Sequence, residues 1–489
     1  MKKSFKYALL TTFSLIILSA CVDLDEIPEG ALAPESFFKT EADFDAALIG
    51  ITAPAWQAWS GYTFDFGMMA TLGGGADDVG STATDFSPYE RFNPDPNSGL
   101  VAGAWRIHYA MIGNANALIS NADNADGIPA EKLGELVGQA KFWRAFAYFQ
   151  LTQYFGEVPI ITTENVSNAD KVGQSPIADI YAVIVQDLKD AEAGLPASFP
   201  ERIKPTKWAA KSLLAKVYLT MAGWPLKDAS TLPLAAAAAK EVIDSGIYTL
   251  EGDFKDLWLE ANNLTNSEYI FFFKGVPGAW PTDFGSHFHH STRHPKEGGW
   301  GNWHSEAAFF NKFPVSYRKD VSFTTSWPDG TSFPADVSVP YVAKFRDGGA
   351  GIIGFDDTNL AGAANSGTAS YVHMRFAEVL LIYAEATGSA LGAEALNQVR
   401  RRANNLPINT ANPSVDWPSV GPADFDTAVI EERAWELAFE DKRWFDLVRK
   451  EMLVEVKGDE YPHINQNYGW LPKPATEVLQ IEGLDQNTY

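Results

Sequence analysis

Apolar residues recur at helical spacing in two blocks of this 489-residue chain. The longest run covers 131–155, where Leu133, Leu136 and Ala140 keep the period of about 3.6 residues that is typical of an amphipathic helix. Gly156 and Pro159 follow this run and predict its end. The same spacing predicts helices over 41–59 (interrupted at Pro54), 103–121, 177–193, 208–221 (capped by Thr206), 234–245, 375–391, 392–404 and 425–450.

Short turns join these predicted helices, which favours stacked helical hairpins and a mainly α fold. Between the blocks, 248–370 is rich in Gly, Pro, Asn, Ser and aromatic residues, and 269–273 within it is predicted as a buried strand. A loop-rich stretch of this length is usually functional or disordered, and its aromatic content argues against disorder. We therefore predict one composite domain over 21–489, with a helical scaffold at about 40–247 and 371–452, a loop-rich lobe at about 248–370 and a tail at 453–489.

The first twenty residues have the order of a secretory signal peptide. Lys2, Lys3 and Lys6 precede an apolar run over 7–18, and small residues precede Cys21. This run is shorter than the roughly 20 residues that a membrane-spanning helix needs. Cys21 is the only cysteine, so no disulfide forms within the chain. Its position resembles the lipobox of bacterial lipoproteins, and we expect lipidation at Cys21. The alternative is a signal peptide that happens to contain a cysteine.

Acidic residues follow the cysteine at Asp23, Asp25 and Glu26, in a pattern similar to the surface-export signal of Bacteroidota lipoproteins. Loss of the signal peptide takes the basic residues from 38 to 35 against 62 acidic ones, and the net charge from −24 to −27. Such a charge repels nucleic acid and anionic membranes. A neutral ligand is therefore an easier partner than an anionic polysaccharide, unless the charge serves only solubility. Fifteen tryptophans exceed what a core requires, which indicates that some of them bind a ligand at the surface.

Six blocks in order along the chain carry a resemblance to a known family. They are 21–38, 139–159, 206–218, 375–386, 431–447, and 471–474 with the terminal 486–489. The most specific of them is 431–447, in which an acidic helical stretch is followed by Arg443, Trp444 and Phe445. Together these blocks resemble the SusD/RagB family of outer-membrane nutrient-binding lipoproteins.

The resemblance implies a tetratricopeptide-like helical scaffold that supports an irregular, loop-rich ligand-binding lobe. It implies a lipid-anchored protein on the cell surface at the outer membrane. Its partners would be a polysaccharide or oligosaccharide ligand and a SusC-like TonB-dependent transporter, over which the lipoprotein sits as a lid during import. Some family members bind peptides instead. The residues of the six blocks mostly pack the helices of the fold, so the blocks do not identify the ligand.

Ligand-binding candidates lie in two regions outside these blocks. Sugars offer apolar C–H faces to aromatic rings and a rim of hydroxyls to carboxylate, amide and guanidinium groups. The resemblance implies binding aromatics in the lobe and in the loop after the first helix. The candidates in the lobe are Trp280, Asp283, Arg293, Trp300, Asn302 and Trp303, and those in the loop are Asp78, Phe86 and Tyr89. The alternative is that about half of these rings anchor the loops to the scaffold.

Two segments raise the question of a metal. His287, His289, His290, His294 and His304 form a histidine-rich stretch that zinc or copper could bind, but it lacks cysteine and a helix to fix the spacing. The acidic segment 347–357 has oxygen ligands for calcium without EF-hand spacing. We therefore expect no metal site and no cofactor, with a structural calcium as the alternative.

Sequence patterns of enzymes are absent. There is no Gly-x-Ser-x-Gly, no phosphate-binding Gly-x-x-x-x-Gly-Lys and no His-Glu-x-x-His. The two carboxylates of a glycosidase leave no readable pattern among 62 acids. We expect a helical, structural role for Glu431, Glu432, Glu436 and Glu440, with Arg433, Arg443 and Arg449 as partners at helical spacing. The prediction is thus a glycan binder, not an enzyme. The alternatives are a binder of peptide or another nutrient and, third, a surface glycoside hydrolase.

Overall fold

The computed structural model describes residues 37–60, 73–81, 83–276, 301–324, 341–347 and 368–488. The prediction of a mainly α fold is confirmed, since helices dominate and the strands are short. The first block contains α1 (Glu41–Ser60), α2 (Ser87–Glu90), α3 (Gly99–Ser120), α4 (Ala130–Phe155), α5 (Ile177–Gly194), α6 (Lys207–Met221) and α7 (Leu232–Asp244). The later helices are α8 (Ala307–Lys312), α9 (Tyr317–Ser322), α10 (Phe376–Thr387), α11 (Ser389–Ala403), α12 (Phe425–Glu436), α13 (Arg443–Arg449), α14 (Leu453–Lys457) and α15 (Ala475–Gln480).

Local chemistry explains most helix ends. The Thr206 hydroxyl accepts a hydrogen bond from the backbone N–H of Ala209 at 3.2 Å, as predicted for an N-cap. Helix α4 ends at Gly156, whose φ of 71° few other residues adopt.

The prediction that Pro54 interrupts the first helix is wrong, because α1 runs through it to Ser60. Proline removes the N–H that would bond to the Gly50 carbonyl. The Asn114 amide of α3 donates to that carbonyl instead, at 2.9 Å, so the missing bond is replaced from a neighbouring helix.

Each scaffold helix packs against the next one along the chain. The contacts run from α1 to α3 and on through α4, α5, α6 and α7, then to α10 and α11, while α12 packs on α10 and α11. This succession confirms the predicted stacking of neighbouring helices. The larger hydrophobic core draws residues from Phe38 to Leu484, and a smaller cluster forms around Trp444 and Leu447. The boundaries predicted for scaffold, lobe and tail stay a prediction.

Three antiparallel strand pairs complete the described structure. Strand β1 (Val79–Ser81) pairs with β3 (Trp303–Ser305), β2 (Tyr269–Phe273) with β6 (Tyr371–Arg375), and β4 (Phe323–Thr324) with β5 (Tyr341–Val342). The predicted buried strand at 269–273 is confirmed, since every residue of β2 is buried. Its Phe271 ring meets Phe142, Trp143 and Phe146 of α4 edge-on, which joins the strand pair to the scaffold.

The prediction of one helix over 425–450 is wrong, because a turn over 437–442 separates α12 from α13. Phe439 and Asp441 have φ of 64° and 55°, a left-handed conformation that a continuous helix excludes. Tertiary contacts compensate for the broken helix. The backbone N–H of Phe439 donates to the Asp78 carboxylate at 3.0 Å, and Glu440 faces Arg375.

A buried ionic cluster joins the elements around this turn. Arg375 at the end of β6 donates to Glu268 (2.7 Å), Glu436 (2.6 Å) and Glu440 (2.9 Å). Arg402 also bonds to Glu268 and Glu436, Arg318 bonds to Glu432 and Glu436, and Lys344 bonds to Glu440. Each of these eight side chains is at most 4% exposed. The surrounding arginines hold the pKa of Glu436 at about 2 despite its burial.

The partners predicted at helical spacing are therefore mostly wrong. Glu436 pairs with arginines from α9, β6 and α11, and Glu440 lies in the turn rather than in a helix. Arg443 pairs with Asp77, far away in sequence. Arg433 bonds to Asp446, and Arg449 bonds to both Asp446 and Glu385. The structural role predicted for these arginines is confirmed, but their partners come from the tertiary fold.

No helix within the described ranges is long and apolar enough to cross a membrane. Cys21 and the rest of 1–36 lie outside these ranges, so lipidation at Cys21 stays a prediction.

Candidate ligand-binding surface

The β1–β3 pair brings together the two regions that sequence reasoning singled out. Ser81, next to the loop after the first helix, lies opposite Trp303, which follows the aromatic lobe segment. The Ser81 hydroxyl donates to the Asn302 carbonyl at 2.6 Å, and the Ser81 N–H donates to the Glu90 carboxylate at 2.9 Å. The ends of both regions are thereby fixed side by side.

Three of the candidate aromatics are packed inside the protein. Trp303 is only 3% exposed, and its ring centroid lies 6.2 Å from that of Phe86, which is also buried. The buried Tyr89 hydroxyl shares a hydrogen bond with Ser98 Oγ at 2.9 Å, and burial raises the pKa of Tyr89 to about 12. In this structure these rings anchor the loop and β3 to the core, as the alternative interpretation of the sequence expected.

Asp78 is also buried, and its carboxylate joins two distant parts of the chain. Its carboxylate accepts a hydrogen bond from the Phe439 N–H, while neighbouring Asp77 accepts two from the Arg443 guanidinium, at 2.6 and 3.0 Å. A Cβ on Gly73 would lie 2.7 Å from Asp441 Oδ1, so this segment rests closely on the turn 437–442. The contacts fix the segment 73–81, and with it β1, to the C-terminal part of the scaffold.

The remaining candidates lie mostly outside the described residues. Trp280, Asp283, Arg293 and Trp300 belong to the undescribed stretch 277–300, as do His287, His289, His290 and His294. Asn302 is half-buried, and its backbone carbonyl is held by Ser81. The predicted contact of these side chains with ligand stays a prediction.

Glu90 and Glu306 form part of a polar face that sequence reasoning missed. This face lies on β1–β3 beside Gly80, where an added Cβ would come within 2.1 Å of Glu306 Oε1 and 2.9 Å of His304 Nε2. Only glycine leaves room for both side chains at this point. Only the alternation of side chains along a strand could have indicated this face in the sequence. His304 in β3 points to the side opposite the buried Trp303 and Ser305.

Burial and neighbouring charges shift the pKa values of Glu306 and His304 in this polar face. Burial raises the pKa of Glu306, and the nearby Glu90 and Glu460 carboxylates raise it further, while Lys457 opposes them. Burial lowers the pKa of His304, so its imidazole is neutral at physiological pH. The Lys457 ammonium is engaged by Glu460 at 2.8 Å. The face is therefore rich in hydrogen-bond acceptors and carries a negative charge.

Two cavities in the described part of the chain hold about 20 Å³ each, room for one water molecule apiece and too little for a sugar. The described ranges contain no group of three or more His, Asp or Glu side chains arranged to hold a metal ion. Asp347 instead accepts a hydrogen bond from the Glu260 N–H at 2.6 Å, and a structural calcium at 347–357 stays untested.

Asp78 makes the stability of the protein depend on pH. Burial raises its pKa from 3.8 to about 6. The folded state therefore binds more protons than the unfolded state between these values, and this contribution to stability is lost as pH rises from about 4 to about 6. We expect the unfolding free energy of the wild type, relative to Asp78→Asn, to fall by at most about 3 kcal/mol across that range. Urea titrations of both proteins at four pH values measure it, and a constant difference would contradict it.

A stack of helices that carries loops at one surface is an architecture of binding proteins. Two family models match this chain, one described as "Starch-binding associating with outer membrane" over residues 85–219 and one as the SusD family over 320–481. SusD-like protein P2 from Formosa agariphila is 31% identical over 524 aligned positions, which cover 99% of either chain. The chain therefore belongs to the SusD family.

Solved structures share the fold along almost the whole chain. A laminarin-binding SusD-like protein superposes with a TM-score of 0.76 at 22% identity, covering 92% of this chain and 99% of its own. Surface glycan-binding protein A from Bacteroides fluxus has a TM-score of 0.74 at 19% identity, with the same two coverages. At these identities the likeness concerns the fold.

Proposed function

We propose that this protein binds a polysaccharide or oligosaccharide at the cell surface. The observation that carries the proposal is the β1–β3 pair, which joins the described ends of the two candidate regions beside a face of carboxylates. Membership in the SusD family supports it, because solved proteins of the same fold include a laminarin binder and a surface glycan-binding protein. The matching description of a starch-binding protein that associates with an outer membrane supports the same ligand class.

On this proposal, binding divides between two kinds of contact. The carboxylates of Glu90 and Glu306 accept hydrogen bonds from sugar hydroxyls, and neutral His304 offers a further polar atom. Trp280 and Trp300 supply flat faces for the apolar side of the sugar ring. Affinity at one site is modest, because desolvation of the hydroxyls offsets much of the gain. No covalent chemistry is involved.

Delivery to a transporter is the second part of the proposal. A lipid on Cys21 keeps the protein at the outer membrane, where a SusC-like TonB-dependent transporter takes the captured glycan for import. The lipobox-like N-terminus and the acidic residues behind it support this location. Cell fractionation, radiolabelled palmitate incorporation and co-purification with the transporter test it. A Cys21→Ala variant that still enters the membrane fraction would contradict the anchor.

The carboxylate face provides a direct test of the site. We expect the double variant Glu90→Gln, Glu306→Gln to bind its glycan about 10-fold more weakly, because each amide is a weaker acceptor than a carboxylate. Isothermal titration calorimetry measures the change. Asp123→Asn, an exposed acid on the scaffold, is the matched control and should bind like the wild type. Unchanged affinity in the double variant would place the ligand elsewhere.

A further inference from the structure

We propose that ordered water occupies a polar cavity buried between α4, α6, β6 and the turn 437–442. The cavity holds about 20 Å³, and the polar side chains that line it include Gln153, Lys216, Tyr371, His373, Asp441 and Lys442. A space of this size admits one water molecule, and a buried water needs two to four polar partners. The lining supplies them. This site goes beyond glycan binding, since its volume is too small for a sugar.

Gln153 gives the first reason to expect water. Its side chain is only 8% exposed and lines the cavity. Its amide nitrogen has no hydrogen-bond partner within the described ranges. An unpaired buried amide costs about 1–3 kcal/mol, so native structures rarely keep one. A water molecule in the cavity gives this donor an acceptor.

The charged groups across the cavity give the second reason. Asp441 accepts long hydrogen bonds from the Tyr154 and Tyr371 hydroxyls, at 3.3 and 3.2 Å, and Lys442 Nζ lies 3.5 Å from the Val372 carbonyl. These distances are at the upper end for hydrogen bonds, and the Asp441 carboxylate can accept, and the Lys442 ammonium donate, a further hydrogen bond. Burial raises the pKa of the Asp441 carboxyl and lowers the pKa of the Lys442 ammonium, so both groups gain from a further hydrogen-bond partner.

A second cavity of about 20 Å³ adjoins the first. The two share Gln153 and Phe445, so Gln153 lines both. Thr152, which lines the second cavity, has a buried hydroxyl without a hydrogen-bond partner within the described ranges. The same argument therefore assigns a second water here. Gln153 would then link two waters through its amide, one toward Asp441 and one toward Thr152.

Crystallography of the whole protein at high resolution tests this assignment. We expect density for a water within hydrogen-bond distance of the Gln153 amide in the first cavity. A crystal pressurised with xenon tests the alternative that the cavity is dry, because xenon enters dry apolar cavities. Xenon in the first cavity, or a cavity without density, would overturn the proposal.

Two variants assign the role of Gln153. Gln153→Leu should lose the water of the first cavity, because its amide partner is gone. Gln150→Leu is the matched control, since Gln150 lines the same cavity from the same helix but is only half-buried. It should keep the water. A water that stays in place in Gln153→Leu would show that the glutamine does not hold it, and the wild-type crystal decides the question if that variant fails to fold.

Discussion

Replacing Arg375 with methionine is expected to lower the free energy of unfolding by about 3–5 kcal/mol. Methionine is shorter but has a similar volume and no charge, so the variant removes the hydrogen bonds to Glu268, Glu436 and Glu440 while filling much of the space. The carboxylates then face each other with less compensating charge. A buried charge without its partner costs more than the pair contributed, which explains the large effect that we expect from this single substitution.

The unfolding midpoint in guanidinium chloride measures this loss. Lys240→Met is the matched control, because it removes a lysine from the exposed Lys240–Asp244 pair, and its midpoint should stay close to that of the wild type. A midpoint for Arg375→Met equal to that of the control would mean that the ionic cluster does not hold the fold together.

Acid should weaken the same cluster. The arginines lower the pKa of Glu436 to about 2, below the usual value of 4.5. The unfolded state therefore binds more protons between these values, and the contribution of Glu436 is present above pH 4.5 and lost as pH falls toward 2. The difference in stability between the wild type and Glu436→Gln should shrink over this range.

Alanine at both Trp280 and Trp300 is expected to weaken glycan binding by roughly 30-fold or more, with little change in thermal stability. The magnitude is that of an aromatic hot spot, about 2 kcal/mol or more. This expectation rests on the proposed function, since both residues lie outside the described ranges.

Trp303→Ala is the informative comparison for this pair. Trp303 is buried against Phe86, so its removal leaves a cavity and should cost about 3–5 kcal/mol of stability. Calorimetric titration and thermal melts on both variants separate the two roles. Normal binding by the double variant would refute the site. A stable Trp303→Ala would contradict its role as an anchor.

Periodicity predicted the helices well, because their core faces repeat every 3.6 residues. The end of α4 at Phe155 and the start of α6 at Lys207 follow from local signals, namely Gly156 and the Thr206 cap. The prediction at Pro54 was wrong because the hydrogen bond that proline removes is replaced by one from the Asn114 amide, which belongs to another helix. The turn at 437–442 was missed for the same reason, since Asp78 and Arg375 hold it from distant parts of the chain.

At the candidate site, too, the sequence did not reveal contacts between distant parts of the chain. Composition singled out two regions, and β1–β3 joins their described ends. It did not distinguish Trp303, Phe86 and Tyr89, which face the core, from rings that face a ligand. Burial of a ring depends on tertiary neighbours that periodicity does not contain. Glu90 and Glu306 were missed because single acids in an acidic chain carry no pattern.

Affinity electrophoresis of the mature protein through gels that contain plant, algal and host polysaccharides tests the central proposal most directly. We expect retardation by at least one polysaccharide, a neutral glucan or fructan before a sulfated or uronic polymer, and no release of reducing ends from it. Reducing ends released steadily from the bound polymer would indicate a glycoside hydrolase instead. Migration unchanged by every polysaccharide, together with calorimetric binding of peptides, would contradict glycan binding and identify a peptide binder on the same scaffold.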